Sequence, residues 1–260
     1  MTYAAANLFH SFSPWAITGA FGLLGTAWAI SAWQRLGVGG ELWWSALRAT
    51  VQLALMGLVL GWLFRQQSPP LLILFLALMI FVAGFFNRKR GAGIPHAYWI
   101  GTASIFLAAS LTLAWMLASG LVTWQGQSLV PIGGMIIGNA MNAVSLALNR
   151  LRSEIDQRED LLLAMLALGA NERQSMRQLY GIVVRSSLIP TLDSLKSVGM
   201  IHIPGITAGM ILAGMAPLAA VSMQLIVMLM LTAAVSISVT SAVVLAGPRA
   251  LRFSTRQEAV

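Results

Sequence analysis

RLRSEIDQREDLLLAMLALGANERQSMRQLYGIVVRSSLIPTLDSLKSV, residues 150–198, is a polar island in a chain otherwise built for lipid. It holds six of the eight acidic residues and seven of the sixteen basic ones, so most of the charge pairing available to the chain is concentrated there. On either side the sequence is a succession of apolar runs. Several reach the roughly 20 residues that a helix needs to cross a hydrocarbon core of about 30 Å. The side of the membrane on which the island emerges therefore decides the topology.

Composition bounds the class. Of the 260 residues, 58% are hydrophobic and only 9% charged, against about 25% charged in soluble domains. Mean hydropathy is +0.79. The apolar runs are continuous rather than alternating, which argues for helices and against a β-barrel. The fold class is all-α, a polytopic membrane protein forming a single transmembrane domain over 1–260. The net charge of +8 follows from basic residues in the connections between runs, as the positive-inside bias expects. No nucleic-acid partner is implied. The absence of cysteine excludes disulfides, thiolate metal sites and iron–sulfur ligation. The segment MTYAAANLFHSFSP lacks the charged n-region of a cleaved signal peptide, so the first span is expected to remain in the mature protein.

Seven spans are expected, at 14–34, 42–64, 70–86, 97–118, 128–148, 199–216 and 218–247. Arg88, Lys89 and Arg90 follow the third, and Arg249, Arg252 and Arg256 follow the last. The segments 1–13 and 119–127 carry no charge. This places the N-terminus outside, and the C-terminus and residues 149–198 in the cytoplasm. The sixth span, GMIHIPGITAGMILAGMAP, is interrupted by Pro204 and four glycines. It reads as a plain helix in which Gly205 and Gly209 allow close packing, or else as a broken or re-entrant segment lining a cavity.

Within the island, Leu151, Ile155, Leu162 and Met165 recur at helical spacing. Gly169 suits a helix C-terminus because it takes positive φ cheaply. Asn171 with Gln174 three residues later matches a capping box. A second helix is then expected to run to about Leu188 and stop before Pro190. The result is a cytoplasmic helix–turn–helix finger with the tip ALGANER, suited to a docking partner. Leu168, Gly169, Ala170 and Asn171 are the candidate coupling residues.

Ionisable groups at membrane depth are functional candidates. Arg48 lies about two turns into the second span, with Gln52 one turn further on the same face; Arg48 can equally snorkel to the interface. The fifth span places Gly138, Asn142, Ser145 and Asn149 on one stripe, with Asn139 beside it. That stripe suits helix packing or a pathway for an oxygen-liganded solute. Asp193 and Lys196 suit either a gate or a simple ion pair. The candidates for a translocation path are Arg48, Gln52, Asn139, Asn142 and Asp193. Met135, Met141, Met210 and Met215 read as core filler. His96 and His202 lack ligand-spaced partners, so no metal site is assigned. HExxH and GxSxG are missing, and so is an intramembrane aspartate pair, so no catalytic residue is assigned and the chain is not read as an enzyme. A GxxxxGK[ST] loop is also missing. Any pumping energy must come from another subunit.

The blocks PIGGMIIGNAMNAVSLALN (131–149), LALGA (166–170), LIPTLDSLKSVGMIHIPGITAGMILAGMAPLAAVSMQLIVM (188–228) and RATVQL (48–53) resemble the FetB-type ABC permeases. This family includes a bacterial iron-export permease and plant aluminium-tolerance half-transporters. The resemblance implies an inner-membrane permease, two copies working with two cytoplasmic ATPase subunits, and metal export, iron in the first instance. It implies that ATP is bound by the partner and that this chain binds no cofactor. Plant relatives are also connected to nucleotide-sugar movement, which keeps a non-metal solute as an alternative. LALGA resembles the coupling loop of ABC importers, but the EAA triplet is degenerate here (Leu163, Ala164, Met165). A receptor-like membrane protein and a stand-alone channel are the rival readings from other classes.

Overall fold

The structure is a computed structural model and describes residues 14–66, 68–91 and 93–257. The described residues form nine helices: α1 (Pro14–Trp33), α2 (Gly39–Gln66), α3 (Pro69–Arg90), α4 (Ala97–Ala118), α5 (Gly126–Gln157), α6 (Glu159–Ala167), α7 (Glu172–Ser197), α8 (Gly205–Leu212) and α9 (Pro217–Gln257). Five of them, α2, α3, α4, α5 and α9, are long and apolar enough to cross a membrane. Their surfaces agree with that reading. Leu53, Leu58 and Trp115 are each more than 70% exposed, and apolar side chains on that scale need lipid around them. The chain is a multi-pass membrane protein.

The helices fall into two compact units. One holds α1, α2 and Gly205–Val221. Within it, Phe21 of α1 stacks on Trp43 of α2, with ring centroids 6.2 Å apart. The Trp28 ring lies where a side chain at Gly39 would sit, so glycine there lets the hairpin close.

The other unit holds Gln67–Pro204 and Ser222–Val260. Its core is built from small residues that let helices approach, as expected where lipid tails offer no hydrophobic drive to associate. A Cβ on Gly84 of α3 would collide with Thr102 of α4, and one on Gly133 of α5 with Leu76 of α3. Ala140, Val144, Ala147 and Leu148 of α5 are fully buried, as are Ala234, Val239, Ala242 and Ala246 of α9. The Arg152 guanidinium of α5 fills the space above Gly93 in the turn after α3. The Tyr180 ring of α7 lies against Gly247 of α9. These contacts bring the basic C-terminal end of α3, Arg152 and the Arg249 end of α9 to one end of this unit.

Three boundaries differ from the sequence expectation. The fifth span does not end near 148. It continues as one helix to Gln157, because Leu148, Leu151 and Ile155 carry its buried stripe onward. The break falls instead at Arg158, whose φ of −125° and ψ of 23° leave the helical region. The second finger helix does not stop before Pro190 but runs through it to Ser197. Proline removes one backbone donor, and the helix carries on past that loss with Pro190 on an exposed face. Finally, the segment 199–216 is not a spanning helix. Gly199 and Gly214 take φ of +83° and +94°, which confines the helix to the eight residues of α8, about 12 Å of rise against the roughly 30 Å required. Among the described residues no atom beyond α8 itself comes within 4 Å of a Cβ placed on Gly205 or Gly209, so the GxxxG pair makes no close helix contact.

Candidate functional site

Where α7 ends, the chain turns rather than continuing. Gly199 N–H donates to the His202 carbonyl at 3.1 Å, and Val198 pairs with His202 in an isolated bridge. The Ser197 hydroxyl lies 3.5 Å from His202 Nδ1. This compact turn sets His202 and Pro204 at the mouth of a cavity of about 350 Å³ between α5, α7 and α9.

Helical spacing explains its lining. On α7, Ser187, Pro190, Thr191 and Ser194 stand at i, i+3, i+4 and i+7, which is one face. On α5, Asn139, Asn142, Ala143 and Leu146 do the same, and on α9 Met228, Leu231 and Thr232 complete the wall. The asparagines lie near the midpoint of a helix long enough to cross the membrane. Asn139 Nδ2 donates to the Met135 carbonyl at 2.8 Å, which holds its side chain along the helix. Thr232 Oγ1 donates to the Met228 carbonyl at 2.8 Å. Ser187 is 1% exposed, and its hydroxyl has no partner among the described residues. An unpaired buried hydroxyl costs about 1–3 kcal/mol, and this one belongs to a residue of the cavity lining.

The structure therefore brings together Asn139 and Asn142 of the expected path residues. Asp193 is not with them. It is exposed and paired with Lys196 at 3.5 Å, three residues on, a surface ion pair of the kind worth about 0–1 kcal/mol. Arg48 and Gln52 lie on α2 in the other compact unit, both exposed. The polar stripe on α5 divides. Asn142 faces the cavity, whereas Ser145 turns away and donates to Oδ1 of the fully buried Asn87 on α3. That Asn87–Ser145 pair packs under Gly101, where a Cβ would fall 2.8 Å from the Asn87 amide nitrogen. It joins three helices and does not line the cavity. The residues that sequence reasoning missed are His202, Ser187, Thr191, Ser194 and Thr232. The i, i+3, i+4, i+7 spacing around Pro190 was available as a signal, but only to a reading that carried the helix through the proline.

At the opposite end of α7 the finger is built as its sequence suggests. Asn171 Oδ1 accepts from Gln174 N–H, and Gln174 Oε1 accepts from Asn171 N–H, both at 2.8 Å. Gly169 takes φ of +92°, a conformation that side chains disfavour. The tight turn pushes Leu168 outward until it is 89% exposed. Beside it, Leu166, Ala170, Asn171, Glu172 and Arg173 line a shallow depression. Leu168 is thus a bare apolar side chain on an otherwise charged finger.

Residues 14–251 match the family described as "Uncharacterised protein family (UPF0014)". Similar proteins include "UPF0014 membrane protein STAR2" of Oryza sativa subsp. japonica, 33% identical over 210 residues, covering 81% of this chain and 74% of that one. "Protein ALUMINUM SENSITIVE 3" of Arabidopsis thaliana is 34% identical over 215 residues, covering 83% and 79%. "Probable iron export permease protein FetB" of Escherichia coli (strain K12) is 33% identical over 229 residues, covering 88% of each chain. No solved structure matches.

Proposed function

The chain belongs to the UPF0014 family, and from that premise we propose that it is the permease subunit of an ABC transporter, exporting a metal ion such as iron across a bacterial inner membrane. A separate cytoplasmic ATPase binds and hydrolyses the ATP. Two permeases and two ATPases make the working assembly. The similarity to a protein named as an iron export permease supports the cargo. The clustering of Arg88, Lys89, Arg90, Arg152 and Arg249 toward one end of a unit supports placing that end, and the finger, in the cytoplasm. The crossings are then seven, with the N-terminus outside and the sixth beginning in α7 rather than at residue 199.

One observation carries this reading: a single helix joins the exposed tip to the cavity. α7 is capped at Asn171 beside Leu168, and it presents Ser187, Pro190, Thr191 and Ser194 to the cavity. From Glu172 to Ser194 is about 33 Å of continuous helix. A push on the tip reaches the cavity wall as a rigid displacement, and Pro190, which lacks an intrahelical donor, is where the rod bends most easily. The permease needs no nucleotide site of its own under this scheme.

The test is purification of the full chain from its own cells in mild detergent. A P-loop ATPase should co-purify, and vesicles holding both should move iron on ATP addition. Leu168→Asp should weaken the complex about 10- to 100-fold, the equivalent of withdrawing one buried leucine worth about 1.5–3 kcal/mol. The isolated permease should keep its stability, because the residue is exposed. If no ATPase accompanies the chain and ATP drives no efflux, the proposal fails.

A further inference from the structure

The cavity between α5, α7 and α9 differs from what a naked metal ion would need. Its volume of about 350 Å³ is in the range of sites for small organic molecules. Its polar groups are two amides, four hydroxyls and one imidazole, and no carboxylate lines it among the described residues. Stripping water from a divalent cation carries a penalty that grows with the square of the charge, and sites that do so supply anionic ligands. Hydroxyls and amides with a single imidazole do not. A fully hydrated ion would match the polar groups but has no use for the apolar wall of Leu146, Pro190, Met228 and Leu231.

We propose that the cavity takes its metal already wrapped in a small hydroxycarboxylate chelator. The chelator supplies the anionic ligands that the wall lacks, so the metal's charge stays compensated when the guest leaves water. Its oxygens accept hydrogen bonds from the Asn142 amide and from Ser187, whose buried hydroxyl is without a partner among the described residues. Its carbon skeleton lies against the apolar wall. The inference rests on the metal-export reading above and specifies the form in which that metal is handled.

Equilibrium dialysis of the detergent-solubilised full chain tests it. The probes are radiolabelled iron as ferric citrate in citrate excess, ferrous ion under ascorbate without chelator, and labelled citrate alone. Ferric citrate should be retained saturably, with iron and citrate in a fixed ratio. Asn142→Leu should weaken retention at least tenfold and Ser187→Ala several-fold, with gel-filtration profiles confirming that both variants stay folded. Saturable retention of chelator-free ferrous ion, equal retention of citrate alone, or indifference to both substitutions would each overturn the inference. Vesicles containing the ATPase separate the two claims. ATP-driven efflux of chelator-free ferrous ion sinks the chelate and leaves export standing. Retention of ferric citrate as expected, with no ATP-driven movement of iron, removes export and leaves the cavity assignment standing.

Discussion

Gly247→Ala probes the register between α7 and α9, on which the cavity depends. A Cβ at this position would lie 2.5 Å from Tyr180 Cε1 and 2.7 Å from its hydroxyl oxygen. Non-bonded carbons rest about 3.5–4.0 Å apart, so the ring must retreat by roughly 1 Å. It cannot swing into open space as the tip of a lysine could, because the Tyr180 hydroxyl is itself buried. Overpacking of this kind costs about 1–3 kcal/mol. Against it stands the helix preference for alanine over glycine, about 0.5–1 kcal/mol. The net effect in the natural background is a loss of about 1 kcal/mol. With Tyr180→Ala in place the collision is gone and only the preference remains, so the same substitution should then stabilise by about 0.5–1 kcal/mol. The sign reverses, and the coupling in a double-mutant cycle is about 1.5–2 kcal/mol. Unfolding of the purified chain in mixed micelles titrated with SDS measures all four corners. Effects of the same sign and size in both backgrounds would show that Tyr180 does not sit over Gly247, and the antiparallel register of α7 on α9 would fall with it.

Two further substitutions test local claims. Asn171→Ala removes the side-chain half of the capping box and should cost about 1 kcal/mol, seen as faster hydrogen exchange in the first turn of α7; unchanged protection there would contradict the cap. Ser145→Ala leaves the Asn87 carbonyl oxygen without its donor on a side chain whose amide nitrogen already has no partner among the described residues. It should destabilise the chain by about 1–2 kcal/mol. Combining it with Asn87→Leu should recover most of that loss, and a double variant weaker than Ser145→Ala alone would argue that the pair does more than join helices.

Much of the finger was legible. Gly169 and Asn171 act locally, through a positive φ and a bond spanning three residues, and local signals survive whatever the rest of the chain does. The membrane class was legible because composition alone decides whether a surface tolerates water. Pro190 and the segment 199–216 misled for a common reason. The proline rule and the hydropathy of a window are both averages over contexts. Here α7 runs through Pro190, which lies on an exposed face, while glycines at 199 and 214 cut short a run whose apolarity looked sufficient to span.

From the amino-acid order alone follow the helical membrane class, the polar island, the capped turn at its tip and the amides of α5. Each is set by neighbours within a turn or two, or by the bulk preference of apolar residues for lipid. The cavity is a property of three helices together. Ser187 and Thr232 are 45 positions apart by their numbers, and Asn142 as far again from Ser187. Only tertiary packing, such as the close approach of α7 to α9 that Gly247 permits, brings such separate positions onto one wall.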